Sequence, residues 1–216
     1  MTFPKAATVD VESIYRIWAP IYNYTFGRAL QNTVKKVIDH VNATSCSGQL
    51  LEIGIGTGLS LAYHNHKFNI TGIDLSGHML ARADRYVREN YLSDRVTLMK
   101  MDAARLDFPA EYFDAVVMIS VVNIANNPGA IIREADRVCK TGGFVYVSNH
   151  FAGQRGRLYN LFERLTGASI FSRKVGLNTN FYIENLELHK TRLKISEIVS
   201  FGPATLVKLQ KTDFNF

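Results

Sequence analysis

The sequence is poor in cysteine and has no long hydrophobic run. It contains two cysteines, Cys46 and Cys139, and neither belongs to a metal-ligand pattern. The longest uncharged apolar run, residues 115–122, is far shorter than a membrane-spanning helix requires. The N-terminus has no basic segment followed by an apolar one, so no signal peptide is expected. These absences predict a cytoplasmic protein with reduced thiols.

The composition is that of an ordinary globular protein with unevenly placed positive charge. Apolar residues make up 47% and charged residues 20% of the 216 residues, which suits one α/β domain with a sizeable core. The net charge is +6, and residues 151–194 carry eight lysines and arginines against three acidic residues. A basic stretch of this kind suggests nucleic acid, an acidic substrate or an anionic membrane as partner. Charge alone leaves a solvated surface without any partner equally open.

A glycine-rich turn at residues 50–58, Leu-Leu-Glu-Ile-Gly-Ile-Gly-Thr-Gly, is the most informative stretch of the chain. A strand-like apolar run leads into it, and residues 59–62 can start a helix. Such a turn lets a ligand approach bare backbone, whose amides can hold polar groups. A dinucleotide-binding turn would have its third glycine at position 59 rather than 58. Glu52, two residues before the first glycine, would also repel a pyrophosphate, so the pattern favours a cationic ligand.

Strand-like and helix-like segments alternate from residue 49 onward, which is typical of a doubly wound parallel sheet. Strands are predicted at residues 49–54, 68–74, 95–101, 112–120 and 144–149. Helices are predicted at residues 28–42, 58–65, 77–91 and 129–139. Two further strand-like runs, near 193–201 and 204–211, are expected to close the sheet as an antiparallel hairpin. The predicted fold is therefore α/β, with a mostly parallel seven-stranded sheet preceded by N-terminal helices.

Polar residues that follow the predicted strands are the candidate ligand-binding groups, because open α/β sheets bind ligands beyond the carboxyl ends of their strands. Asp74, at the end of the second strand, is placed to accept both ribose hydroxyls of an adenosine. Its alternative role as a helix cap is better filled by Ser76. Met79 would pack on the adenine or simply in the core. Ser120 follows the fourth strand at the ligand end, whereas Asp114 lies at the opposite end.

The N-terminal segment is predicted as an amphipathic helix over residues 8–18 that ends before Pro20. Tyr15, Trp18 and Tyr22 are spaced three and four apart, so they would share one face if the helical turn continued to residue 22. Three interpretations of this aromatic face stay open: core packing, an anchor at a membrane interface, and a lid over a cationic substrate.

Several segments, in the right order, resemble class I S-adenosylmethionine (SAM) methyltransferases. They are residues 50–58, 73–76, 101–104, 113–120 and 138–143, and together they cover about residues 48–150. A closer resemblance, to the bacterial phosphatidylethanolamine N-methyltransferases, is carried by residues 15–27, 54–60 and 148–151. These enzymes are relatives of the ubiquinone/menaquinone C-methyltransferases. The N-methyltransferases convert phosphatidylethanolamine towards phosphatidylcholine. Asn23 departs from the pattern, since related enzymes usually carry Asp after the Tyr.

The resemblance implies a Rossmann-like methyltransferase fold with SAM as cofactor. Asp74 would hold the ribose, Asp102 would accept from the adenine amino group with the Ala103 amide nearby, and Ser120 would lie at the methionyl end. Further residues implied in cofactor binding are Glu52, Gly54, Gly56, Thr57, Gly58, Leu75 and Met79. The implied organisation is a single domain, 1–216. It would comprise an aromatic helical cap and membrane segment (1–45), a cofactor-binding core (46–150), and a substrate-side insertion with the closing strands (151–216).

Methyl transfer to an amine is an in-line displacement that needs a neutral lone pair roughly 3 Å from the methyl carbon. His150, at the end of the fifth strand, is the histidine favoured as proton acceptor or phosphate contact; a structural histidine is the alternative. The resemblance implies that Tyr15 and Tyr22 close over the cofactor or the amine, and Tyr15 is grouped with His150 as catalytic. Trp18 would join the two tyrosines in holding a methylated ammonium by cation–π contact.

A phospholipid substrate implies peripheral binding to an anionic membrane, on the inner face of the cell membrane. Arg173 and Lys174 would then meet lipid phosphate, or else belong to a solvated surface. Nucleic acid is not expected, because residues 120–123 lack an Asn-Pro-Pro-Tyr-type motif. No metal site is expected either, since His64 and His66 have no convincing third ligand.

Four other functions stay open alongside phospholipid methylation. They are methylation of a quinone or another small molecule, a SAM-binding membrane module without turnover, a nicotinamide-dependent oxidoreductase and, less favoured, nucleic-acid methylation. The number of methyl groups added and the oligomeric state are not determined by the sequence.

Overall fold

The structure, a computed structural model, describes residues 27–122, 124–150, 186–201 and 204–213. The helices of this part are α1 (Gly27–Ala43), α2 (Gly77–Glu89) and α3 (Pro128–Val138), with short 3-10 helices at Leu59–Ala62 and Leu188–Lys190. The strands are β1 (Gly48–Ile53), β2 (Phe68–Asp74), β3 (Val96–Lys100), β4 (Phe113–Ile119), β5 (Cys139–His150), β6 (Leu193–Phe201) and β7 (Ala204–Lys211). None of the helices in these ranges has the length and apolar content needed to cross a membrane.

The seven strands form one sheet in the order β3-β2-β1-β4-β5-β7-β6. Strands β1 to β5 are parallel, and β7 lies antiparallel between β5 and β6. The predicted mixed sheet and its closing hairpin are therefore confirmed. The chain runs outward from β1 to β3 and then returns to β4 on the other side of β1. This reversal between β1 and β4 is where sheets of this type open a ligand crevice.

Helices on both faces of the sheet bury its centre completely. Leu51 and Ile53 of β1 pack in one cluster with Ile132 of α3, whereas Leu50 faces the other way and packs with Ile38 of α1. Full burial of each such side chain contributes about 1.5–3 kcal/mol. The core thus holds the carboxyl ends of β1 to β5 at one edge, where the candidate site lies.

Two predicted segments differ from the structure. The helix predicted over residues 58–65 is only the 3-10 helix Leu59–Ala62, because Asn42 of α1 bonds to the backbone of Tyr63 and Asn65 and draws the chain out of the helix. The fifth strand, predicted at 144–149, begins earlier, at Cys139, which pairs with Phe113 ahead of an irregular stretch of the ladder. The other helices and strands predicted within the described residues lie within about two residues of their predicted bounds. The helix predicted over residues 8–18 lies outside the described residues.

Both cysteines are free thiols in the structure. Cys46 is half-buried, and Cys139 is buried in the core at the start of β5. Burial raises the pKa of the Cys139 thiol to about 12. This thiol therefore stays protonated and behaves as a small apolar side chain.

Candidate active site

The glycine-rich turn follows β1 at the reversal point of the sheet, and its glycines serve different purposes. Gly54 has a φ of 72°, and a Cβ there would overlap the side chain of Val121, which follows β4. Gly56 has a φ of 58°, but a Cβ there would meet nothing closer than the Gly54 carbonyl oxygen at 4.0 Å. A Cβ at Gly58 would lie 3.1 Å from the Leu61 side chain and 3.4 Å from Ala83 of α2. Only Gly56 leaves open space, and this is where a ligand can approach the backbone.

Asp74, the last residue of β2, ties the glycine-rich turn to the start of α2. Its carboxylate accepts the Gly56 amide at 3.0 Å through one oxygen and the Ser76 amide at 2.8 Å through the other. Ser76 in turn caps α2 by accepting the Met79 amide at 3.4 Å, as predicted. The half-buried Asp74 carboxylate retains lone pairs beyond these two bonds, so it can still accept hydroxyl groups.

The residues that follow β2 present apolar side chains beside this carboxylate, and an exposed acid follows β3. Leu75 is 63% exposed, and Met79 is half-buried one turn into α2. Asp102 is exposed, and one of its carboxyl oxygens accepts the Ala104 amide at 2.9 Å, which fixes the turn around the buried Ala103. An exposed leucine next to a fixed acid is a surface that an adenosine would cover.

Ser120 follows β4 and lies across the reversal point from the glycine-rich turn. Its φ is 59°, and its amide donates to the Ser148 carbonyl of β5 at 2.7 Å. A serine with positive φ is uncommon and costs energy, and such residues cluster at functional sites. Nothing in the sequence indicated this positive φ at Ser120. It brings the end of β4 against Gly54 through Val121.

Glu52, on β1, is buried beneath the glycine-rich turn rather than exposed. Its carboxyl oxygen lies 3.1 Å from Nε2 of His64, and the side chains of Glu52 and His64 are 4% and 0% exposed. Sequence reasoning missed this role of His64, which it had weighed only as half of a His-x-His pair. His66 is exposed, and no group of three metal-ligating side chains occurs within the described ranges.

Asp114 lies at the opposite edge of the sheet, as predicted. Its carboxylate accepts the Gln49 amide at 2.8 Å and the Lys140 ammonium at 2.8 Å. These bonds join the starts of β1, β4 and β5, so Asp114 has a structural role.

Several predicted site residues lie outside the described residues. They are Tyr15, Trp18, Tyr22, Arg173 and Lys174. The backbone of His150 is described and pairs with Ala204 at the end of β5, but the placement of its side chain lies outside the description. Roles for these residues stay predictions.

Comparison with known proteins identifies the family. A family model described as a methyltransferase domain matches residues 51–147. The chain is 38% identical over 196 residues to a phosphatidylethanolamine N-methyltransferase of Cereibacter sphaeroides, which spans 91% of this chain and 93% of that protein. The chain belongs to the SAM-dependent methyltransferase family.

The methyltransferase also resembles more distant proteins. It is 28% identical over 134 residues to a 2-methyl-6-phytyl-1,4-hydroquinone methyltransferase of Oryza sativa subsp. japonica, covering 60% of this chain and 37% of that one. A solved structure of an S-adenosyl-L-methionine-dependent methyltransferase from Methanococcus maripaludis has a TM-score of 0.74 at 20% identity. That match covers 99% of this chain and 98% of the other, and it supports the same fold.

SAM is therefore the cofactor, and the described residues fit it. The open space at Gly56, the Asp74 carboxylate and the exposed Leu75 suit an adenosine, and the buried acid Glu52 suits a cationic ligand. Membership of this family decides against the nicotinamide-dependent alternative.

Proposed function

We propose that this methyltransferase adds methyl groups to the amine of phosphatidylethanolamine and its methylated intermediates, towards phosphatidylcholine. The observation that carries the proposal is the extent of the 38% match, which spans 91% of the chain. The general family model matches only residues 51–147. The longer match therefore includes residues on both sides of the cofactor core, where we expect the substrate to bind.

The cofactor would be held by residues at the carboxyl edge of β1 to β4. Asp74 would accept the ribose hydroxyls, and Leu75 and Met79 would cover the adenine. The adenine amino group would donate to Asp102, with the Ala103 amide nearby. The residues proposed to line the methionyl and ribose part are Glu52, Gly54, Gly56, Thr57, Gly58 and Ser120. When bound, SAM supplies a methyl group already activated on a sulfonium, so no nucleophilic side chain is needed.

We propose His150 as the group that accepts the proton of the substrate ammonium or contacts the lipid phosphate. It ends β5, whose residue Ser148 bonds to Ser120 at the end of β4. The end of β5 is thus adjacent to the proposed methionyl end of the site. An imidazole ordinarily titrates near neutral pH, which suits it to receive such a proton.

The substrate-facing part is proposed to include an aromatic group and a basic group. Tyr15, Trp18 and Tyr22 would hold the methylated ammonium by cation–π contact, with Tyr15 acting beside His150. Arg173 and Lys174 would meet the lipid phosphate. The basic stretch at 151–194 supports peripheral binding to the anionic inner face of the cell membrane.

The test is methylation of lipid in vesicles. Purified protein is incubated with labelled SAM and vesicles containing phosphatidylethanolamine, and the lipid products are resolved by their number of methyl groups. We expect mono-, di- or trimethylated lipid, and no label when phosphatidylcholine replaces phosphatidylethanolamine.

A matched variant, His150→Gln, should lower the rate of lipid methylation by about 100-fold and leave SAM binding unchanged, because it removes only the proton acceptor. A protein that binds SAM but leaves phosphatidylethanolamine unlabelled would remove the proposal.

Methylation of a hydroquinone is the second candidate, favoured by the match to the plant enzyme. It is weaker because that match covers 60% of the chain. Supplying a prenylated hydroquinone in the same assay separates the two substrates. If neither acceptor is labelled and no S-adenosylhomocysteine forms, the remaining reading is a SAM-binding module without turnover.

A further inference from the structure

We infer that His64 is a positioning residue of the SAM site, which holds the Glu52 carboxylate where it can receive the ammonium group of the cofactor. The inference rests on the proposed role of Glu52 in cofactor binding. It adds a residue that takes part without touching the cofactor itself.

The Glu52–His64 pair closes the glycine-rich turn at its base. Glu52 lies on β1, two residues before the first glycine of the turn, and His64 follows the 3-10 helix that comes after the turn. Nε2 of His64 lies 3.1 Å from the Glu52 carboxylate, and both side chains are buried. A buried carboxylate needs a polar partner, and among the described residues His64 supplies it.

The backbone that carries His64 is held rigidly from two sides. The Asn42 side chain of α1 donates to the Tyr63 carbonyl at 2.8 Å and accepts the Asn65 amide at 3.2 Å. Arg95, which precedes β3, donates to the Asn65 carbonyl at 3.0 Å and to the His64 carbonyl at 3.3 Å. The backbone that carries the imidazole is therefore held by α1 and by Arg95, not by the glycines of the turn.

The hydrogen-bonding pattern of the pair is incomplete in a way that core packing alone does not explain. Because a carboxylate only accepts, Nε2 carries the proton, and Nδ1 is left buried without a partner in the described part of the chain. The second oxygen of Glu52 likewise makes no hydrogen bond to a described residue. An apolar pair of similar volume would serve stability as well or better. Glu52 lies two residues before Gly54, the first glycine of the turn, and this is where a cationic group of the cofactor is proposed.

The test uses three ligands that differ in the part of the cofactor they carry. SAM and S-adenosylhomocysteine both have the amino-acid ammonium, whereas 5′-methylthioadenosine lacks it and keeps the adenosine. Their dissociation constants are measured by calorimetry for the wild type and for two matched variants, His64→Gln and His64→Asn. The glutamine amide nitrogen replaces Nε2, and the shorter asparagine amide replaces Nδ1 instead.

We expect His64→Asn to weaken binding of SAM and S-adenosylhomocysteine by about tenfold, the loss of one charge-assisted hydrogen bond. Binding of 5′-methylthioadenosine should change by less than about twofold. His64→Gln should keep the affinity for SAM within about threefold of the wild type. Glu52→Gln, which is isosteric, should show the same selective loss as His64→Asn.

An equal loss for all three ligands, or equal effects of the glutamine and asparagine variants, would overturn the inference and leave His64 a structural residue. If His64→Asn does not fold, Glu52→Gln and His64→Gln decide. A selective loss in the first with none in the second supports the inference, and any other pattern overturns it. The assay contains no lipid, so failure of the proposed phospholipid substrate would not affect its result.

Discussion

At the scale of single residues, neighbouring glycines in the turn meet different constraints. Gly54 is needed because the Val121 side chain occupies the place of a Cβ, whereas the place of a Cβ at Gly56 is open. Both have a positive φ, so any other residue at either position would have a strained backbone. Stability and cofactor binding should therefore respond differently to the same substitution at the two positions.

Gly56→Ala should lower the free energy of unfolding by about 1–2 kcal/mol, the cost of a left-handed alanine. It should weaken SAM binding by at least about tenfold, because the methyl group occupies the open space beside the turn. Gly54→Ala should destabilise by about 2–4 kcal/mol, since overlap with Val121 adds to the backbone strain. Urea unfolding and calorimetric titration measure both effects. A larger loss of stability at Gly56 than at Gly54 would contradict this assignment.

At the scale of elements, the start of α2 is built around the proposed ribose carboxylate. Ser76 caps the helix, and its amide is held by Asp74. The Ser76 side chain thus satisfies an amide in the first turn of the helix, and the Asp74 carboxylate remains available to a ligand. The cap of α3 is Asn127, which accepts the Ala130 amide at 3.1 Å.

Ser76→Ala should lower the free energy of unfolding by about 0.5 kcal/mol, at the low end for a lost N-cap, because its bond to Met79 is long. Asn127→Ala, at the N-cap of α3, is the matched control and should lower the free energy of unfolding by about 1 kcal/mol. Both values come from urea unfolding. SAM affinity of Ser76→Ala should stay within about threefold of the wild type. A tenfold loss would show that Ser76, and not only Asp74, contributes to cofactor binding.

At the scale of the whole molecule, the edge of the sheet opposite the site is held by charged groups. Glu111, just before β4, bonds to Arg192 at 2.9 Å and to Thr141 of β5 at 3.0 Å, and lies 3.4 Å from Lys211 at the end of β7. The buried Lys211 also donates to the carbonyls of Asp136 and Cys139. The closing hairpin is thereby joined to the parallel part of the sheet.

This network predicts a loss of stability in acid. Hydrogen bonds from Arg192, and also from Thr141 and Lys211, lower the pKa of Glu111 from 4.5 to about 2. A carboxyl whose pKa is lower in the folded state stabilises fully above its unfolded value and progressively less as pH falls below it. The contribution of Glu111 should thus be complete above pH 4.5 and fade towards pH 2.

Glu111→Gln isolates this contribution. At neutral pH the variant should have a lower free energy of unfolding than the wild type, and the difference should shrink as the pH falls from 4.5 towards 2. Urea unfolding of both proteins across this range is the measurement. If the difference in free energy of unfolding between the two proteins does not change with pH, the charge of Glu111 does not contribute to stability.

The sequence by itself determined the fold class, the strands and the positions of candidate site residues at the ends of those strands. Apolar periodicity identifies strands and helices from local sequence. The carboxyl ends of parallel strands lie at the same edge of the sheet, whatever the strand order. For that reason Asp74 after β2, Ser120 after β4 and the closing hairpin could be predicted. The spacing of the glycines and the acid at position 52 further distinguished a cationic ligand from a pyrophosphate.

Only the tertiary structure decided how these residues are held. The bond between Glu52 and His64, the contact of Val121 with Gly54 and the positive φ of Ser120 depend on which loops meet at the reversal between β1 and β4. Residues distant in sequence meet there because of strand order, and no local periodicity records such contacts. The same holds for Glu111, whose partners come from β5, β7 and the residue before β6.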